Sequence, residues 1–281
     1  MERIMKKIER KSLLYRSDVE YGDFTINHVQ GCAHGCKFPC YAMQMAKRFG
    51  KIKTYDEWRE PAIVSNAIEL LEKEIPKYKK RMNFVHLCFM TDPFMMGYPE
   101  VSDLTLKIIH VLNENNIKIT LLTKGVLPKQ LANTHRFNKF NEYGISLVSI
   151  CDSFHREFEP YTSTYKERVE SLYHLHEKGL NTWVSIEPYP TPNIIDQDIR
   201  KILNEISFVN KIVFGRMNYN KSVSQFKAFQ EFYNKTAETV ADFCTVNNID
   251  FHIKDKTVKK EEKVKLLEKK KSRELFRRVT F

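Results

Sequence analysis

The chain has 281 residues, 42% of them hydrophobic, which is enough apolar content for the core of one large domain. Its formal net charge of +11 is uneven: residues 1–11 carry +3 and residues 254–281 carry +7, so the body between them is nearly neutral. No internal repeat, low-complexity tract or membrane-length apolar run is present, and the charged start Met1-Glu2-Arg3-Ile4-Met5-Lys6-Lys7 is unlike a secretory leader, so a cytoplasmic location with reduced thiols is expected.

In chain order, residues 1–21 read as a basic N-terminal extension, 22–253 as a barrel domain and 254–281 as a basic tail. Strand-like runs rich in Val, Ile, Phe and Leu are Phe24–Val29, Phe84–Phe89, Ile117–Leu122, Ile145–Ile150, Thr182–Ile186, Lys211–Phe214 and Ile249–Ile253. Helical stretches Ala62–Lys80, Val101–Asn115, Lys166–Lys178 and Gln225–Asn247 lie between them. Pro61 and Pro128 stand near helix starts, Gly179 follows a lysine-terminated helix, and Asp196 is an N-cap candidate. Strand–helix alternation without hairpin turns predicts a parallel sheet, and six or seven such units predict an α/β fold, a partial or near-complete parallel (β/α) barrel. Val264, Leu267 and Leu275 predict an amphipathic helix over Lys263–Arg278, a short basic C-terminal extension whose other reading is attraction to phosphates.

After the first strand comes Gly31-Cys32-Ala33-His34-Gly35-Cys36-Lys37-Phe38-Pro39-Cys40-Tyr41-Ala42, three cysteines in nine residues with no fourth nearby. Three thiolates hold three irons of a [4Fe-4S] cube and leave the fourth open to a ligand, whereas an electron-transfer cluster normally takes four. A Cys3His zinc site using His34 or His28 is the competing reading. Cys88, Cys151 and Cys244 are far apart in sequence and read by default as small buried hydrophobes.

Active sites of parallel barrels collect where strands give way to helices. Each predicted strand delivers hydrogen-bonding groups there. The first runs into the Cys32 loop, the second into Thr91-Asp92-Pro93, and the third into Thr123-Lys124-Gly125. The fourth carries Ser149 and Cys151-Asp152, the fifth ends Ser185-Ile186-Glu187-Pro188, and the sixth ends Gly215-Arg216-Met217-Asn218-Tyr219-Asn220.

With these blocks in order, the chain resembles the spore photoproduct lyase-like, DNA-repair-photolyase-related branch of the radical S-adenosylmethionine (SAM) superfamily. The resemblance rests on Gly31–Ala42, Thr91-Asp92-Pro93-Phe94, Leu122-Thr123-Lys124, and Ser149-Ile150 followed by Glu159-Pro160 and Glu167-Arg168. It covers roughly residues 22–220. The usual spacing is Cys-x3-Cys-x2-Cys, and here Pro39 lengthens the second interval by one residue, which we expect to bulge the loop without removing its chelating logic.

The resemblance implies an enzyme, of lyase or transferase class, in which Cys32, Cys36 and Cys40 bind a [4Fe-4S] cluster and SAM is the second cofactor. Tyr41 would lie by the SAM adenine, and Thr91 and Asp92 would meet the methionyl amine. Lys124 suits the methionyl carboxylate as a compact cation. Ser149 is a partner for the same carboxylate or the ribose, and Glu187 an acceptor for the ribose hydroxyls. Arg168, within a helical stretch, is expected to pair with a structural carboxylate. An electron donor of flavodoxin or ferredoxin type is the implied partner. The reduced cluster would cleave SAM to methionine and a 5′-deoxyadenosyl radical, which abstracts hydrogen from substrate.

Cys151 and Asn218 are the candidate catalytic residues. In the true lyase a cysteine at the end of the second strand returns a hydrogen atom; alignment on Asp92 puts Phe89 at that place. Cys88, one residue away, is expected to point to the opposite face by strand alternation. Cys151 is then the substitute donor, with a buried structural thiol as its other reading. Three functional classes remain: a radical SAM enzyme acting on a nucleic-acid base, with Arg216, Tyr219 and Lys221 meeting phosphates and stacking a base; one acting on a peptide or small metabolite; and a non-catalytic zinc-stabilised binding protein. No membrane partner is expected.

Overall fold

A computed structural model describes residues 5–17 and 21–266. In chain order its elements are β1 (Lys6–Ile8), β2 (Leu14–Arg16), β3 (Phe24–Ile26), β4 (Val29–Gln30), α1 (Tyr41–Arg48), α2 (Tyr55–Trp58), β5 (Ala62–Val64), α3 (Ala67–Tyr78), β6 (Phe84–Leu87), α4 (Pro99–Glu114), β7 (Lys118–Thr123), β8 (Glu142–Ser146), α5 (Asp152–Phe158), α6 (Tyr165–Glu177), β9 (Asn181–Tyr189), α7 (Ile199–Glu205), β10 (Lys211–Arg216), α8 (Lys221–Gln225), α9 (Phe229–Val246) and β11 (Asp250–Ile253).

Two compact units divide the chain: residues 1–145 with 155–182, and residues 146–154 with 183–281. Within the first, β3, β6, β7 and β8 are parallel neighbours in that order, and β2 closes the edge antiparallel to β3. Ile26, Leu87 and Leu121 are in register, so the segments after β3 and β6 emerge at one level. These strands are buried on both faces, which is why they read as continuous apolar runs. Within the second unit, β9, β10 and β11 are parallel, with Val213 opposite both Ser185 and His252. The sheet of the first unit ends at β2, so the architecture is an open, partial form of the expected (β/α) barrel.

A smaller sheet in the first unit, β1-β5-β4, was not foreseen. The sequence pattern places Ala62–Val64 at the start of a helix, yet it pairs parallel with Lys6–Ile8 and antiparallel with Val29–Gln30, and the helix begins at Ala67. Ala-Ile-Val fits either period over three residues, and strand partners arriving from remote segments decide it. The N-terminal stretch thus contributes strands to both sheets, tied down by Leu13 and Leu14 N–H groups that donate to the buried Glu74 carboxylate. The fourth predicted strand also moves, from Ile145–Ile150 to Glu142–Ser146, while Ser149 and Cys151 fall in the loop before α5. The predicted tail helix lies mostly outside the described residues. No helix among the described residues is long and apolar enough to cross a membrane.

Candidate active site

The cysteine loop spans β4 to α1 in the first unit. Its backbone is pinned from several sides: Cys32 N–H donates to Trp58 O (2.8 Å), Lys37 N–H to Phe158 O (2.8 Å), and Gly35 N–H to Cys32 O (3.3 Å). The Tyr55 hydroxyl donates to the Gly35 carbonyl, and the Arg59 guanidinium stacks on the Tyr161 ring at 3.5 Å. Gly35 has φ +49°, and a Cβ there would meet Tyr55 and Arg59 atoms within 3 Å, so the loop needs glycine at this turn.

All three thiols are free. Burial raises each of them above the ordinary thiol range, and they act on one another electrostatically. Opposing that rise at Cys40 are backbone N–H groups of Met43 and Ala42, because Cys40 is the N-cap residue of α1, and a helix N-terminus favours negative charge. At Cys36 the opposing charge is Lys124.

No group of three His, Cys, Asp or Glu side chains among the described residues is disposed to hold a single metal ion. A cube makes a different demand, one thiolate per iron at separate corners, and three free thiols on one loop fit it. Of the two histidines offered for a zinc site, His34 has its lone pair taken. His34 Nε2 accepts from Met96 N–H (3.2 Å), so its proton sits on Nδ1, which faces Asp92 Oδ2 at 3.3 Å, off the line of a hydrogen bond. His28 Nε2 lies 2.7 Å from Thr105 Oγ1, whose own proton goes to Val101 O or Pro93 O, so the imidazole is the donor. Burial, with Arg10 adding to it, lowers the His28 pKa to about 3 and keeps the ring neutral.

Asp92 is buried at the rim after β6. Its Oδ1 accepts from the Thr123 hydroxyl (2.6 Å) and Phe94 N–H (2.9 Å), and Oδ2 from Lys124 N–H (2.7 Å). Burial pushes its carboxyl up, but His34 and these donors outweigh it and hold it below the usual range. These three bonds take most of the carboxylate's acceptor capacity, which makes Asp92 chiefly a brace between strand ends. Thr91 differs: its hydroxyl is buried and is held by no nitrogen or oxygen partner, lying instead by the Cys88 thiol, whose burial-driven rise in pKa it opposes.

Lys124 Nζ lies 2.7 Å from Glu159 Oε1, and Glu159 Oε2 lies 2.7 Å from Arg168 Nη2. Arg168 is buried and also donates to Thr162 Oγ1 and Ser163 O, so it is the structural partner expected of it. Burial alone would raise Glu159, yet the two cations lower its pKa to about 2. Glu159 is the member of this triad to which the sequence reading assigned no role. The Glu-Pro pair at the end of a helix signalled it, but only folding brings it to Lys124.

Tyr41 opens α1, 44% exposed, with its ring edge-on to Phe89 at 6.5 Å. Cys88 corrects the alternation argument: β6 ends at Leu87, Cys88 takes φ +59°, and its side chain packs with Val29, Ala33 and Met95 against Cys32. Period-two reasoning ends where the strand ends.

In the second unit, Cys151 N–H donates to Ser149 Oγ (3.1 Å). Glu187 stands on β9, which continues to Tyr189, and its Oε2 is 3.4 Å from Lys254 Nζ on the residue after β11. A Cβ on Gly215 would come within 2.8 Å of Glu187 Cδ, so glycine makes room for this carboxylate. Arg216 Nε donates to Asn218 Oδ1 (2.9 Å). Tyr219 is 67% exposed, and Lys221 opens α8. Lys254 was missed because nothing in the sequence of a strand's end names its partner two strands away.

The chain is 25% identical over 229 residues to an uncharacterised protein of Methanocaldococcus jannaschii, covering 80% of this chain and 82% of that one. It is 24% identical over 211 residues to an uncharacterised protein of Acidianus two-tailed virus, covering 72% and 69%. Its fold matches spore photoproduct lyase complexed with dinucleoside spore photoproduct at a TM-score of 0.64 and 12% identity, over 88% of this chain and 80% of that one. A variant of that lyase with bound AdoMet and dinucleoside spore photoproduct matches equally, at 0.64 and 12%, with the same coverage. The family model described as Radical SAM superfamily matches residues 26–206, from β3 through α7, and the chain therefore belongs to the radical SAM superfamily.

Proposed function

We propose that this radical SAM enzyme holds a [4Fe-4S] cluster on Cys32, Cys36 and Cys40 and acts on a base of a nucleic acid. The observation that carries the cluster assignment is three free thiols on one pinned loop, beside a histidine, His34, whose lone pair is already taken. Bound there, the cluster supplies the electron that splits SAM into methionine and a 5′-deoxyadenosyl radical. The chain's part is to bind and aim. Thr91 offers its hydroxyl to the methionyl amine, and Asp92 braces the strand ends that present it. Lys124 keeps two ammonium protons for the methionyl carboxylate while Glu159 fixes its position. Tyr41 would lie by the adenine; Ser149 would serve the methionyl carboxylate or the ribose, and Glu187 would accept from the ribose hydroxyls. Cys151 is the hydrogen donor and Asn218 a substrate contact. A flavodoxin- or ferredoxin-type protein supplies the electron.

The nucleic-acid assignment is supported by the fold shared with an enzyme solved with a dinucleoside photoproduct. The nearly neutral charge of residues 12–253 favours the second reading, a peptide or metabolite substrate. The test is anaerobic reconstitution with iron and sulfide, reduction with dithionite in the presence of SAM, and chromatography for 5′-deoxyadenosine. Wild type gives product and Cys36→Ala gives none; equal traces from both would sink the cluster assignment. Acceleration by single-stranded oligonucleotides supports the substrate class, and its absence in an active wild type overturns it.

A further inference from the structure

The first unit contains a cavity of about 380 Å³ whose lining includes Tyr41 and Thr91. Three aromatic rings at its wall are exposed to an extent unusual for their size: Phe49 at 67%, Tyr41 at 44% and Tyr15 at 40%. Two cations flank it, Arg10 and Lys51, and neither forms an ion pair among the described residues. Two side-chain amides face it as well. Asn27 Oδ1 accepts from Met90 N–H (2.8 Å), which leaves its NH2 donors without a partner among the described residues; the Gln30 amide has none either.

An apolar ligand would be served by the rings alone, and a simple anion by the cations alone. Rings that stack, cations that meet phosphates and amides that read a base edge together match a nucleotide of a single strand. The volume is on the scale of one small ligand. We infer that this cavity, lined by Arg10, Tyr15, Asn27, Phe49 and Lys51, is a nucleotide-binding subsite that holds one unpaired base of the substrate strand next to the SAM edge at Tyr41 and Thr91. The inference rests on the nucleic-acid reading above and deepens it. None of these five residues belongs to the cluster or SAM ligand sets.

The test measures fluorescence-anisotropy binding of a labelled eight-nucleotide oligothymidylate to reconstituted protein. It compares wild type with Phe49→Ala, Tyr15→Ala and Arg10→Gln at matched iron content and matched far-ultraviolet circular dichroism. Removing a stacking ring weakens binding roughly fivefold to a hundredfold. Arg10→Gln lowers the slope of log affinity against log salt by about 0.7, the share of one phosphate on a single strand. Unchanged affinity in all three variants, with wild type still binding and oligonucleotide still accelerating 5′-deoxyadenosine formation, overturns this subsite and leaves the nucleic-acid reading standing. Loss of SAM affinity in the ring variants with unchanged oligonucleotide affinity also overturns it, since the cavity then belongs to SAM. A wild type that forms 5′-deoxyadenosine but neither binds nor responds to the oligonucleotide removes the reading and the subsite together.

Discussion

The rim groups of the two units carry their charges in opposite ways. In the first, Asp92, Glu159 and Arg168 are each 6% exposed or less, and every one is held by several partners. In the second, Glu187 and Lys254 are 24% and 20% exposed and meet at 3.4 Å, and Arg216 is held by one neighbouring asparagine. A buried ion set of the first kind is rigid, because releasing any member strands an uncompensated charge. A half-exposed pair exchanges its partner for water or ligand at little cost. The first arrangement suits a cofactor whose position must not vary, and the second suits groups that meet a variable ligand.

The largest break in this comparison comes from Arg168→Ala, which leaves Glu159 buried with Lys124 as its only cation. Chemical denaturation should show a loss of about 3–5 kcal/mol. A loss below 1 kcal/mol would mean that the triad is no more demanding than a surface pair.

Acid sharpens the contrast next. His28 is held neutral with a pKa of about 3 against 6.5, so the unfolded chain binds the extra proton between those values, and stability present above pH 6.5 falls as pH drops towards 3. Glu159 adds a second loss as pH falls from its ordinary 4.5 to about 2. The His28 contribution has a slope near 1.4 kcal/mol per pH unit. Trp58 lies in the first unit and Trp183 in the second, and both are buried, so Trp58→Phe and Trp183→Phe give a reporter for each unit. The emission of Trp58 is expected to change at higher pH than that of Trp183; coincident transitions would show that the units lose structure together.

The smallest effect belongs to Lys254→Ala. Stability should change by less than about 1 kcal/mol in thermal denaturation. A larger loss would place the Glu187–Lys254 pair with the buried set.

Much of the frame was legible from local pattern. Strands such as β6, β7, β10 and β11 were found within a few residues because buried parallel strands are short continuous apolar runs, and α4, α6 and α9 because their apolar spacing persists over several turns. β5 and β8 were misread because three to five residues carry no period that excludes the alternative; partners from elsewhere settle them. Strand alternation does not extend to Cys88 for a related reason, since a left-handed residue follows the strand and nothing in its side chain announces it.

The sequence by itself determined the chemistry: three cysteines in one loop, and threonine, aspartate and lysine at the ends of successive strands, all written into short contiguous segments. Tertiary structure alone decided how those groups are spent. Asp92 becomes a brace and Lys124 a partner of Glu159, while Arg10, Tyr15 and Phe49 gather around one cavity, because each of these contacts joins residues tens of positions apart. Local sequence specifies residue type and backbone preference, whereas pairing of remote charges and rings is set by strand register and burial, which no local window contains.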